Sequence, residues 1–187
     1  MALLFAYPGN EQLAETLISK AGYELGKLDI HHFPDGESLV RLESDVKGQD
    51  IVLLCSLDRP DEKAMSLMFF ARTAKELGAK SVGLVAPYLG YMRQDKRFHE
   101  GEAITSNIFA AFISEYFDSL ITVDPHLHRH KSLREIYSIP TKVIHAADAI
   151  AEWIKDNIEK PVLIGPDAES DQWVSEVAQK AGAPYIV

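Results

Sequence analysis

A single cysteine, Cys55, is all the thiol chemistry in the chain, so neither a disulfide framework nor a cysteine zinc site can form within it. Cys55 closes the apolar run Ile51-Val52-Leu53-Leu54-Cys55 and reads as a buried strand residue. Long apolar runs are also missing. The longest, Val82 to Met92, contains Pro87 and is too short to span a bilayer. No basic segment precedes Leu3-Leu4-Phe5, so no signal peptide is legible and a cytoplasmic protein without membrane association is expected. Positive charge is in deficit, with 19 Lys and Arg against 28 Asp and Glu for a net charge of −9. That balance argues against a general nucleic-acid or anionic-membrane binder, whose target would repel most of the surface. There is no G-x-x-x-x-G-K-[ST], no G-x-G-x-x-G and no His-Glu-x-x-His, which sets aside P-loop, common dinucleotide-binding and zincin chemistry.

What is present is an alternation of short β-branched runs with longer amphipathic stretches, the order required by a mostly parallel sheet with crossover helices. Strands are expected near 2–7, 27–33, 37–42, 50–55, 81–86, 119–123, 142–144, 161–165 and 184–187. Helices are expected over 10–21, 61–77, 103–116, 146–157 and 169–181, with Gly22, Gly78 and Gly182 as stops. Phe33-Pro34-Asp35-Gly36-Glu37 between two strand-like runs predicts a protruding β-hairpin. A weak internal echo, a strand followed by a helix ending Lys20-Ala21-Gly22 and again Lys180-Ala181-Gly182, suggests a second α/β unit. The expected organisation is one domain over 1–144 and the start of a second, incomplete one over 145–187, whose small sheet would leave apolar surface near Val162 to Ile164 and Tyr185 to Val187.

Three segments carry candidate chemistry, each just past the carboxyl end of an expected strand. Pro87 to Arg97 holds three cations in five residues, Arg93, Lys96 and Arg97, after two tyrosines. This suits an anionic ligand carrying a flat base; alternatively it is a solvated loop in which Asp95 pairs with its neighbours. Asp124-Pro125-His126 puts a carboxylate and an imidazole within reach of one divalent ion, and a hard ion such as Mg²⁺ suits the carboxylate. Asp167, in Gly165-Pro166-Asp167-Ala168-Glu169-Ser170, reads by itself as a helix cap. In an open parallel sheet the carboxyl ends share one edge, where ligands bind. The three segments together describe a site for Mg²⁺ and a polyphosphate.

These pieces resemble the ribose-phosphate pyrophosphokinases. The similarity runs through Phe33-Pro34-Asp35-Gly36-Glu37, Val85 to Phe98 with its Tyr91-x-Arg93-Gln94-Asp95-Lys96 core, Gly101-Glu102-Ala103-Ile104, Asp124-Pro125-His126 and Gly165-Pro166-Asp167. The wording is most similar to the archaeal-type branch. The resemblance implies a pair of phosphoribosyltransferase-like α/β domains, and transfer of the diphosphoryl group of ATP to C1 of ribose 5-phosphate with Mg²⁺ as cofactor. It implies ATP contacts at Arg93 and Gln94, and a hairpin bearing Asp35, Gly36 and Glu37 that reaches the adenine of a neighbouring subunit, hence a homo-oligomer. It makes His126 and Asp167 Mg²⁺-associated positions with Asp124 beside them, and leaves His128 and His130 to the surface.

The family's ribose 5-phosphate loop and its catalytic loop are expected beyond Val187, so the chain alone is expected to be inactive. The alternative is a noncatalytic regulatory or binding subunit of the same family.

Overall fold

Short aliphatic runs form the strands, and each longer amphipathic stretch crosses back over the sheet to bury its apolar stripe. The computed structural model describes residues 2–187, less the side chains of Glu169 and Gln172. The chain divides into two units, Met1–Val143 and Ile144–Val187. The elements of the first are, in order, β1 (Leu3–Ala6), α1 (Glu11–Ala21), β2 (Glu24–Leu25), β3 (Leu28–His32), β4 (Ser38–Leu42), β5 (Asp50–Leu54), α2 (Pro60–Glu76), β6 (Ser81–Ala86), α3 (Thr105–Tyr116), β7 (Ser119–Val123) and β8 (Thr141–Ile144). Six strands make one sheet in the order β2-β1-β5-β6-β7-β8, and β3 and β4 form a separate hairpin. The pairings from β2 through β7 are all parallel, with Leu3 opposite Ile51, Ile51 opposite Val82 and Leu84 opposite Leu120.

Alternation along the strands divides the core between two faces. Leu3, Phe5, Ile51, Leu53, Val82 and Leu84 pack with Leu67 and Phe70 of α2 and Phe109 and Ile113 of α3. Leu4 and Leu54 face the other way, onto Ala14, Leu17 and Ile18 of α1. Phe5 and Phe70 meet edge to face at 5.3 Å, an arrangement that adds to the area they bury. The hairpin lays Leu28, Ile30, Val40 and Leu42 against the first face and leaves residues 33–37 in solvent.

In the second unit, α4 (Ala147–Asn157), β9 (Leu163–Ile164), α5 (Asp171–Ala181) and β10 (Tyr185–Ile186) follow one another. β9 and β10 pair in parallel, and α4 and α5 bury Ala147, Ala151 and Val177. Val162, Ile164, Tyr185, Ile186 and Val187 are exposed, the apolar surface expected there. The Lys-Ala-Gly echo has a physical basis. Gly22 and Gly182 both take left-handed φ, 72° and 69°, and donate their N–H groups to carbonyls of the last helical turn.

The expected elements are present with edges moved by at most two residues. α3 starts at Thr105 rather than Ala103, because the Glu102 carboxylate is committed to the backbone N–H groups of Phe98 and His99 at 2.8 and 3.1 Å. Strand β2 escaped the sequence pattern: two residues are too few to show a period. Among the described residues no helix is long and apolar enough to cross a membrane.

Candidate functional site

Parallel pairing decides which loops become neighbours. Ala86 at the end of β6 lies opposite Thr122 of β7, and Leu54 at the end of β5 lies opposite Val85. The segments that begin at Cys55, Pro87 and Asp124 therefore leave the same edge of the sheet side by side. The first two are packed closely. Leu57 N–H donates to the Tyr88 carbonyl at 2.9 Å, and a Cβ on Gly90 would sit 2.9 Å from the Leu57 oxygen and 3.0 Å from Pro60 Cγ. Glycine is the residue that this approach admits.

Three non-glycine residues on this edge hold left-handed backbone: Arg59 after β5, Tyr91 after β6 and Asp124 after β7, with φ of 51°, 63° and 38°. Asp tolerates that region, whereas for most L-residues it costs about 1–2 kcal/mol. Tyr91 offsets its share by packing its ring 4.8 Å from that of Phe109. Strain gathered in three adjacent loops marks the edge as a candidate site.

The β6 loop is built around Asp95. Arg93 and Gln94, just before it, are exposed. Their backbone is fixed by Gln94 N–H to Tyr91 O at 3.1 Å and Ser106 N–H to Gln94 O at 3.2 Å. Asp95 itself is buried, its side chain only 1% exposed, and its Oδ1 accepts from Arg129 Nη1 at 2.7 Å. This corrects the reading in which Asp95 pairs within its own loop, since Arg129 lies 34 residues away. The nearer cations are engaged elsewhere. Lys96 Nζ stands 4.6 Å from the centre of the Phe98 ring, and Arg97 Nε donates to the Glu102 carbonyl at 2.8 Å. Hydrogen bonds from His99 and from the Phe98 and His99 backbone hold the Glu102 carboxyl below its usual range.

In the β7 loop, Asp124 and His126 are half-buried. The His126 and His128 rings lie 6.1 Å apart. His128 is exposed, but His130 is half-buried with Nδ1 3.6 Å from Glu135 Oε2, so the expected surface position fits the first histidine and not the second. Among the described residues no group of three or more His, Cys, Asp or Glu side chains converges on one point. A carboxylate and an imidazole are nevertheless a donor set that fits Mg²⁺ in a phosphate site, because that ion keeps waters and takes one or two protein ligands beside the phosphates of its substrate.

The other candidate residues are held by local bonds. Asp35, Gly36 and Glu37 form the exposed hairpin tip, where Gly36 has φ 92°. Their bonds close on the tip itself, Glu37 N–H to Asp35 Oδ1 at 3.1 Å and Phe33 N–H to Glu37 O at 2.8 Å. Asp167 lies in the second unit and caps a short 3₁₀ turn at Ala168–Ser170, accepting from Ser170 N–H at 3.0 Å. Arg129, to which the motifs assign no role, is the partner of the buried Asp95.

The model of the N-terminal domain of ribose phosphate pyrophosphokinase matches residues 2–116. The chain belongs to the ribose-phosphate pyrophosphokinase family. It is 36% identical over 172 residues to the ribose-phosphate pyrophosphokinase of Methanobrevibacter smithii, covering 91% of this chain and 57% of that one. It is 34% identical over 173 residues to that of Saccharolobus solfataricus, covering 91% and 58%. Both relatives are archaeal. In fold it is similar to the phosphoribosylpyrophosphate synthetase of Mycobacterium smegmatis, with a TM-score of 0.85 at 23% identity over 98% of this chain and 62% of that one. The chain thus spans under two thirds of the length of these ribose-phosphate pyrophosphokinases.

Proposed function

We propose that this chain supplies the ATP- and Mg²⁺-holding part of a ribose-phosphate diphosphokinase, a cytoplasmic enzyme of nucleotide biosynthesis. It would transfer the diphosphoryl group of ATP to the C1 hydroxyl of ribose 5-phosphate and release AMP. The observation that carries this reading is the emergence of the Arg93–Gln94 loop and the Asp124–His126 turn side by side from adjacent parallel strands. Arg93 grips the triphosphate in a forked, charge-assisted contact and Gln94 hydrogen-bonds beside it. Asp124 and His126 would hold the Mg²⁺. When bound, that ion neutralises charge on the phosphates. The protein's own part is to position the triphosphate and fix the dipoles around it. Residues 145–187 open a second domain of the same kind.

Titration with a fluorescent ATP analogue and Mg²⁺ tests the assignment. Arg93→Ala should weaken binding about 10- to 100-fold, the value of one charged hydrogen-bonding group, and unchanged affinity would refute it. The exposed tip bearing Asp35, Gly36 and Glu37 reads as the part of the ATP site lent to a neighbouring subunit. Sedimentation velocity at micromolar concentration should accordingly show a homo-oligomer. A monomer that still binds nucleotide fully would exclude the shared site.

A further inference from the structure

We propose that the ion pair between buried Asp95 and exposed Arg129 is a positioning latch that couples the phosphate-binding loop to the Mg²⁺-binding turn. The inference rests on the function proposed above and deepens it. Asp95 follows Arg93 and Gln94 directly, and Arg129 lies three residues after His126. Their 2.7 Å bond therefore joins two loops that leave neighbouring strands. An exposed ion pair would hold such loops weakly. Here the carboxylate is buried, and its second oxygen, Oδ2, has no hydrogen-bond partner among the described residues. Separating the loops would leave that buried charge with neither oxygen satisfied, which makes the joined state strongly preferred.

The surroundings keep Arg129 in this role. Its guanidinium stands 5.8 Å from the face of Phe98, the ring that also carries Lys96 at 4.6 Å. Glu135, an acidic group farther along the same loop, is engaged by His130 and by the Lys131 N–H at 3.2 Å. Neither Asp95 nor Arg129 needs to touch nucleotide or metal. Their effect is to fix the distance between the groups that do, so that phosphate and Mg²⁺ bind cooperatively. A coupling of this kind between two ligands typically amounts to between about 5- and 150-fold.

The readout is the Mg²⁺ increment, the ratio of ATP-analogue affinities measured in Mg²⁺ and in EDTA. Asp95→Asn should reduce the increment about tenfold while affinity in EDTA stays within about twofold, the lower part of that coupling range. Asp95→Asn/Arg129→Met leaves no buried ion, so it folds even where a single variant does not, and it should lose the increment as well. Arg129→Lys keeps a cation opposite the Asp95 carboxylate and should retain most of it. An increment unchanged in the folded variants overturns the latch. So does an equal loss in Mg²⁺ and EDTA, which would assign the pair to loop folding alone. Failure of the unaltered protein to bind the analogue under either condition would instead bring down the underlying functional reading, and the latch with it.

Discussion

Arg129→Met is expected to lower the unfolding free energy by about 3 kcal/mol, far more than the loss of any surface ion pair. Removing one partner of a buried pair strands the other charge and costs about 3–5 kcal/mol. The low end applies because Asp95 is 1% exposed while Arg129 is 37% exposed, so water can reach the carboxylate from the vacated side. By contrast Lys80–Asp50 at 3.0 Å and Arg41–Glu43 at 3.4 Å join well-exposed side chains, and deleting either should barely move the unfolding midpoint. Urea unfolding of the three variants in parallel tests the ranking. If Arg129→Met behaved like the surface deletions, Asp95 would have to be solvated in the folded state. Adding Asp95→Asn to Arg129→Met should recover most of the loss, because no ion is then buried.

The second large effect is alkaline destabilisation. Burial pushes the Cys55 thiol from an ordinary value near 9 up to about 12, since the thiolate is disfavoured in the apolar core. The folded state therefore binds the proton more tightly than the unfolded chain does. Stability from this group is fully present below pH 9 and is lost as pH rises from 9 to 12. By pH 10.5 the loss should reach about 2 kcal/mol, since each unit of difference between the states is worth about 1.36 kcal/mol. Tyr137 and Tyr7, whose hydroxyls are also pushed up by burial, add to the decline. Urea midpoints at pH 8 and pH 10.5 provide the test. Cys55→Ala should flatten the drop by the share of the thiol and leave the tyrosine share. An equal drop in both proteins would mean that Cys55 does not titrate differently in the two states.

The strands and helices were legible because each satisfies a local rule. Ile51 to Leu54 and Val82 to Ala86 are aliphatic runs of strand length, and Gly22 and Gly182 end their helices by accepting left-handed φ. Asp167 as a cap was legible for the same reason, its partner Ser170 being three residues away. The carboxyl-edge loops could be brought together only by assuming a parallel sheet. Within them the Asp95–Arg129 bond was invisible, because it spans 34 residues and a residue number says nothing about which side chain is buried. Nor does any propensity place Tyr91 or Arg59 in left-handed backbone; tertiary packing imposes it.

Parallel register makes the sheet a ruler for these loops. Leu84 faces Leu120 and Ala86 faces Thr122, so the separation of the two loop origins is counted in strand residues and not in loop length. One residue inserted in β6 would advance the origin of its loop by about 3.3 Å and turn the following side chains to the opposite face. Asp95 and Arg129 would part even though a full ladder of strand hydrogen bonds could reform. At the other edge, Gly48 N–H meets the Gly78 carbonyl at 2.7 Å between two glycine turns, where extra residues could loop into solvent with little entropic penalty. The two rims of the sheet therefore differ in their tolerance of length change: the amino rim can absorb it, and the carboxyl rim transmits it directly to the spacing of the loops that leave it.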